Sequence, residues 1–211
     1  MTPDPALLLH QWLSPAFPVG AFSYSHGLET AVAQGAIRDA ATARDWIATA
    51  LEHGAGQSDA ILLSAAYQSE DLTALFDLAR ALAPSAERRQ EAERTGTAFA
   101  LAVRALHGHD IPDAPYPLVL GRAARLSGLP LPLTLRLFLQ AFAANLVSAA
   151  VRLVPLGQTD GQRITLSLTP LIETLAAQAE PGDTDRIGSA AFALDIASMR
   201  HETQPTRLFQ S

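Results

Sequence analysis

The sequence predicts an all-α fold, a single-domain bundle of about nine or ten helices spanning residues 1–211. Alanine and leucine dominate, with about forty and thirty copies, and both favour helix. Aromatic residues are only 6% and β-branched residues are few, which leaves little material for strands. Apolar residues also recur at three- and four-residue spacing along most of the chain.

The elements follow in order. Leu7–Leu13 reads as a short helix stopped at Ser14-Pro15, because the residue before proline leaves the helical region. Residues 15–20 form a Pro/Gly loop, and a helix is predicted from Ser25 to Gln34, with Gly35 as its left-handed cap. Asp39 suits the N-cap of a helix carrying Trp46, Ile47, Ala50 and Leu51 on one face, closed by Gly54. Helices are predicted from Ser58 or Asp59, and from Asp71 to before Pro84. A long helix then runs from Ser85 to His107, with Phe99, Val103 and Leu106 on one side. Tyr116–Ser127 and Pro132–Val154 complete the middle. Residues 155–163 read as a loop. Ile164–Leu175 reads as helix with a kink at Pro170, and Arg186–Glu202 as the last helix before a tail over 203–211.

Composition removes many functions. There is no cysteine, which excludes disulfides, thiolate metal sites and cysteine nucleophiles. All 15 basic residues are arginine, so a lysine-bearing phosphate loop and lysine Schiff-base chemistry are excluded. A net charge of −6 argues against a nucleic-acid surface. The first arginine is Arg38, so no basic signal region precedes it, and a cytoplasmic protein is expected. The most membrane-like run, Leu131–Val154, carries Arg136, Gln140, Ser148 and Arg152 on one helical stripe. That pattern fits a core helix with one polar face rather than a span.

Candidate chemistry is sparse. His107 and His109 could both reach a metal from an extended backbone, with only Asp110 or Asp113 nearby. They equally suit a helix C-terminus with Gly108 as cap. Ser25 and His26 are neighbours whose side chains point about 100° apart on a helix, and the chain lacks a nucleophile elbow. Glu87 and Glu91 read as a solvated i,i+4 pair. Two segments stand out instead. Residues 14–29 (S-P-A-F-P-V-G-A-F-S-Y-S-H-G-L-E) are too aromatic for a disordered linker. Residues 195–211 (D-I-A-S-M-R-H-E-T-Q-P-T-R-L-F-Q-S) stay apolar and specific to the end, where chains normally fray.

These two segments, together with P-L-G-Q-T-D-G-Q (155–162) and Asn145 ahead of it, resemble the UreF family of urease accessory proteins. The motifs fall in the family's order and cover essentially the whole chain. Pro205 departs from the pattern, which has an aromatic residue such as tyrosine there. The resemblance implies an all-helical, non-catalytic chaperone of urease maturation that forms a homodimer. It further implies assembly with UreD/UreH, recruitment of the GTPase UreG, and delivery of nickel to the urease apoprotein. This chain would hold no cofactor itself, and GTP would be bound by the partner. The other reading is a helical metal-binding protein or enzyme using His107 and His109.

On that resemblance and their own chemistry, Tyr24, His26 and Glu29 are candidate partner contacts, as are Arg200, His201, Glu202, Arg207, Leu208 and Phe209. Pro15, Pro18, Gly20 and Gly27 are candidate structural residues. Phe17 and Phe22 are expected to pack inward. The Arg207 fork, near the carboxylate of Ser211, could engage a carboxylate in two parallel bonds, with Leu208 and Phe209 as apolar anchors.

Overall fold

The computed structural model describes residues 4–188 and 190–210. Ser211 and its carboxylate lie outside them. Among the described residues there are ten α-helices, two short 3-10 turns and no strand.

Local signals start and stop several helices where the sequence places them. Helix α1 (Pro5–Leu13) begins on Asp4, whose carboxylate accepts the amides of Ala6 and Leu7. Helix α2 is Leu28–Ala33. Helix α3 (Ala40–Glu52) opens with a capping box between Asp39 and Thr42. Helices α4 (Ala55–Gln68) and α5 (Thr73–Ala81) follow, Asp71 accepting the Thr73 amide. Helix α6 (Ala86–His107) is capped by Ser85 and ends at Gly108 in the left-handed region. Then come α7 (Tyr116–Leu126), α8 (Leu131–Leu153), α9 (Gln158–Ala179) and α10 (Phe192–His201).

Helices α4 and α8 form the centre, with α7 and α9 packed most closely on them and α1, α2 and α3 against α8. The α4–α7 contact depends on Gly121, where a Cβ would stand 2.2 Å from the Leu63 carbonyl oxygen. The core is continuous and includes Leu9, Trp12, Ile47, Leu63, Phe99, Leu118 and Leu139. Helix α8 is long and apolar enough to cross a membrane by length and composition, and half of that stretch is buried here. Its polar stripe faces outward: Arg136, Ser148 and Arg152 are exposed, with Gln140 half-buried between them.

Several expectations are corrected. Helix α2 starts three residues later than Ser25, because His26 and Gly27 both take positive φ (52° and 75°). Helix α4 begins at Ala55 rather than near Ser58, with Gly54 as its N-cap. The 155–163 loop is shorter, since α9 starts at Gln158; Gly161 serves packing there, a Cβ standing 2.9 Å from Val151. Residues 164–175 are helical as read, with Pro170 inside α9. The last helix starts at Phe192, after a 3-10 turn at Thr184–Arg186. Leu106 and Phe22 point outward, at 58% and 50% exposure, whereas Phe17 is buried as expected.

Candidate functional site

The 14–29 segment and the C-terminal tail meet on the first turns of α6. The 14–29 segment turns at Gly20 (φ 72°), passes a 3-10 turn at Ala21–Ser23, and enters α2 through Gly27. Gly27 lies directly against α10, and a Cβ there would stand 2.8 Å from the Ser198 nitrogen. Helix α10 is thereby seated on the start of α2. Ser85 and Ser198 hydroxyls bond at 2.7 Å, tying α10 to α6 as well.

This places His201, fully buried, between two carboxylates. Its Nδ1 is 2.7 Å from Glu87 Oε2 and its Nε2 is 3.1 Å from Glu29 Oε2. Both ring nitrogens can donate at once only as the imidazolium. Glu29 also accepts the backbone amides of Leu208 (2.6 Å) and Phe209 (3.0 Å). Burial pushes the Glu29 carboxyl up, but these amides and the His201 ring outweigh it and hold the group below its ordinary value. Glu87 completes the chain with Arg207, Nη1 to Oε1 at 2.6 Å.

The rest of the tail is held in the same way. The Gln210 amide donates to the Ser23 carbonyl at 2.8 Å, and the Thr30 hydroxyl bonds Gln204 at 2.9 Å. Phe209 is buried beneath the Arg152 guanidinium, 4.7 Å from its ring centre. Arg152 also donates to the Phe22 carbonyl. Glu202 accepts the Ala86 amide at the N-terminus of α6.

One turn along α6 lies a second cluster. His26 Nε2 is 3.1 Å from Glu91 Oε1, and Arg88 bonds Asp59 while standing 3.6 Å from Glu91. The His26 ring also packs edge-on against Phe142. Burial pushes the Glu91 carboxyl up, but His26 and Arg88 hold it lower on balance. Burial, with the nearby Glu91 charge, raises Tyr24, so its phenol is a neutral hydroxyl. The reading of Glu87 and Glu91 as a solvated pair is therefore wrong: both side chains are largely buried and ion-paired.

Of the candidate contacts, Tyr24, His26, Glu29, His201 and Phe209 are largely buried within the chain, while Arg200, Glu202, Arg207 and Leu208 are exposed. Arg200 reaches Gln34, and Leu208 is 65% exposed. Pro15 and Pro18 are exposed, and Gly27 is buried. Sequence reasoning missed Asp59, Arg88 and Arg152. Their spacing marks only helix faces, and nothing local tells which distant segment a face will meet.

His107 and His109 stack with ring centres 5.8 Å apart. His109 Nε2 bonds the Ser127 hydroxyl, and His107 packs against Trp12. Burial, then the His109 charge, holds the His107 imidazole below its ordinary value. Among the described residues no group of three or more His, Cys, Asp or Glu is placed to hold a metal ion.

The UreF family model matches residues 37–169. A urease accessory protein UreF from Cereibacter sphaeroides strain KD131 is 60% identical over 97% of this chain and 98% of its own length. The chain belongs to the UreF family of urease accessory proteins. Its relatives carry that resemblance through both ends, which the family model leaves out. The UreF of Roseobacter denitrificans is 51% identical over 100% of this chain and 96% of its own. That of Rhodopseudomonas palustris strain BisB5 is 47% identical over 96% and 90% respectively.

Proposed function

We propose that this chain is a non-catalytic adaptor of urease maturation in the cytoplasm. It acts as a homodimer that assembles with UreD/UreH and the GTPase UreG, so that nickel reaches the urease apoprotein. Nickel is cargo of that assembly, and GTP belongs to the partner. The observation that carries this reading is the docked tail. A terminal segment normally frays; here Glu29, His201, Glu87 and Arg207 hold it in a fixed path across the 14–29 segment. Family membership supports the urease context.

Arg200, Arg207 and Leu208 are displayed outward on this platform, as recognition requires. Arginine beside an apolar anchor is a common interface hot spot. Co-purification with UreD/UreH and UreG tests the reading, using the full chain and one ending at Glu202. The full chain should retain both partners and the truncated chain should lose them. Retention by a truncated chain that melts normally would overturn the assignment of the tail.

A further inference from the structure

Between α6 and the docked tail lies an open polar depression of about 510 Å³, lined by Tyr24, Glu87, Gln90, Arg94, Arg207 and Gln210. Among the described residues its charges do not cancel. Glu87 is already spent, one carboxylate oxygen on Arg207 and the other on His201. Arg94 has no ion pair among the described residues; its side-chain partner is the neutral Tyr24 hydroxyl. Among the described residues that line it, Arg94 and Arg207 against Glu87 leave one net positive charge. That local charge stands out in a chain of net charge −6.

Arg94 sits on the same face of α6 as Glu87 and Glu91, at i+7 and i+3, so a rigid helix aims it into the depression. Only one Arg207 terminal nitrogen is engaged by Glu87. The guanidinium fork reads a carboxylate through two parallel bonds, and the exposed amides of Gln90 and Gln210 add donors at the rim.

We propose that this depression is a receptor for one acidic side chain of a partner protein, its carboxylate gripped between Arg94 and Arg207. The inference rests on the adaptor reading above and names the chemistry recognised at that surface. A single net positive charge suits a carboxylate better than a phosphate group, which carries about −1.5 to −2.

The test has two arms. In the first, the full chain is titrated with a capped tetraglutamate peptide, a capped tetraglutamine peptide and inorganic phosphate, following amide NMR shifts of Gln90, Arg94 and Gln210. Tetraglutamate should give saturable shifts, at least tenfold weaker in Arg94→Gln, while tetraglutamine gives none and phosphate binds more weakly. No saturable shift, the same shift in Arg94→Gln, or tighter phosphate binding would overturn the proposal. In the second arm, Arg94→Gln should reduce capture of UreD/UreH and UreG at least tenfold with its melting temperature unchanged. Normal capture by Arg94→Gln alongside loss in Arg207→Ala would sink this inference and leave the adaptor reading standing. No capture by the unmodified chain would sink the adaptor reading, and the peptide arm would then decide the receptor by itself.

Discussion

Glu87 and Glu91 stand one turn apart on α6, and both are largely buried in ion pairs, but they hold different things. Glu91 faces inward to His26 and Arg88, and Arg88 to Asp59, so that cluster joins α4, α6 and the 14–29 segment from within. Glu87 faces the chain end, and its cluster runs from buried His201 out to Arg207, whose side chain is 41% exposed. A closed ionic cluster fixes how helices pack. One that opens to solvent on a terminal segment fixes what the surface presents. The contrast gives an expectation for each variant, separating damage to the fold from damage to the platform.

The largest effect is expected in the inner cluster. Arg88→Ala leaves the buried carboxylate of Asp59 without its cation and Glu91 with His26 alone, which should cost about 3–5 kcal/mol. Scanning calorimetry should show a melting temperature lower by about 10 °C for a chain of this size. A shift of only a degree or two would mean that water reaches the cluster and the contrast is false.

Gly27→Val comes next. It places a Cβ against the α10 backbone at a left-handed φ of 75°, costing about 2–4 kcal/mol from overpacking and strain. Hydrogen exchange should rise across residues 192–210 while α4 and α8 stay protected. Uniform loss of protection would instead place Gly27 in the global folding unit.

Glu29→Gln keeps the shape and removes the charge. Hydrogen bonds to a charged group are worth about 1.5–3 kcal/mol, so the Leu208 and Phe209 amides should exchange at least tenfold faster. The same bonds set a pH window. The fold lowers Glu29 below its ordinary 4.5, so its stabilisation is fully present above about that pH. It is lost as pH falls through the lower folded value. Tail protection should therefore fade on acidification below about pH 4.5 in the parent chain, but not in Glu29→Gln.

Gly20→Val should matter least for stability. Gly20 has φ 72° but nothing within 4 Å of an added Cβ, so the cost is about 1–2 kcal/mol of backbone strain. If urease activation nevertheless fails in that variant, the turn presents the exposed Phe22 to a partner. Normal activation would leave it a purely structural turn.

How much of this was legible in the sequence depended on distance along the chain. Ser85, Gly108 and Asp39 act within a turn of themselves, and the helices they bound appeared as read. Gly-Gln-Thr-Asp-Gly-Gln looked like a loop because glycine usually interrupts helices. Here Gly161 lets α9 approach Val147 and Val151 on α8, a tertiary reason that no local pattern carries. The tail and the 14–29 segment were both marked by their own residues. Their mutual contact was not, because it is made through Glu29 and Glu87 to residues more than a hundred positions away. A glutamate pair at i,i+4 reads the same whether water or a buried imidazole faces it.

The central claim is that the docked tail is a platform for partners rather than a clasp for the fold. Arg207→Ala tests it most directly, with circular dichroism melting and partner capture measured on the same preparation. An exposed ion pair contributes about 0–1 kcal/mol, so the melting temperature should fall by no more than about 4 °C. Capture of UreD/UreH and UreG should weaken roughly thirtyfold, the equivalent of a hot-spot loss of about 2 kcal/mol. A variant that melts much earlier yet captures both partners as well as the parent would contradict the account and make Arg207 a residue of the fold.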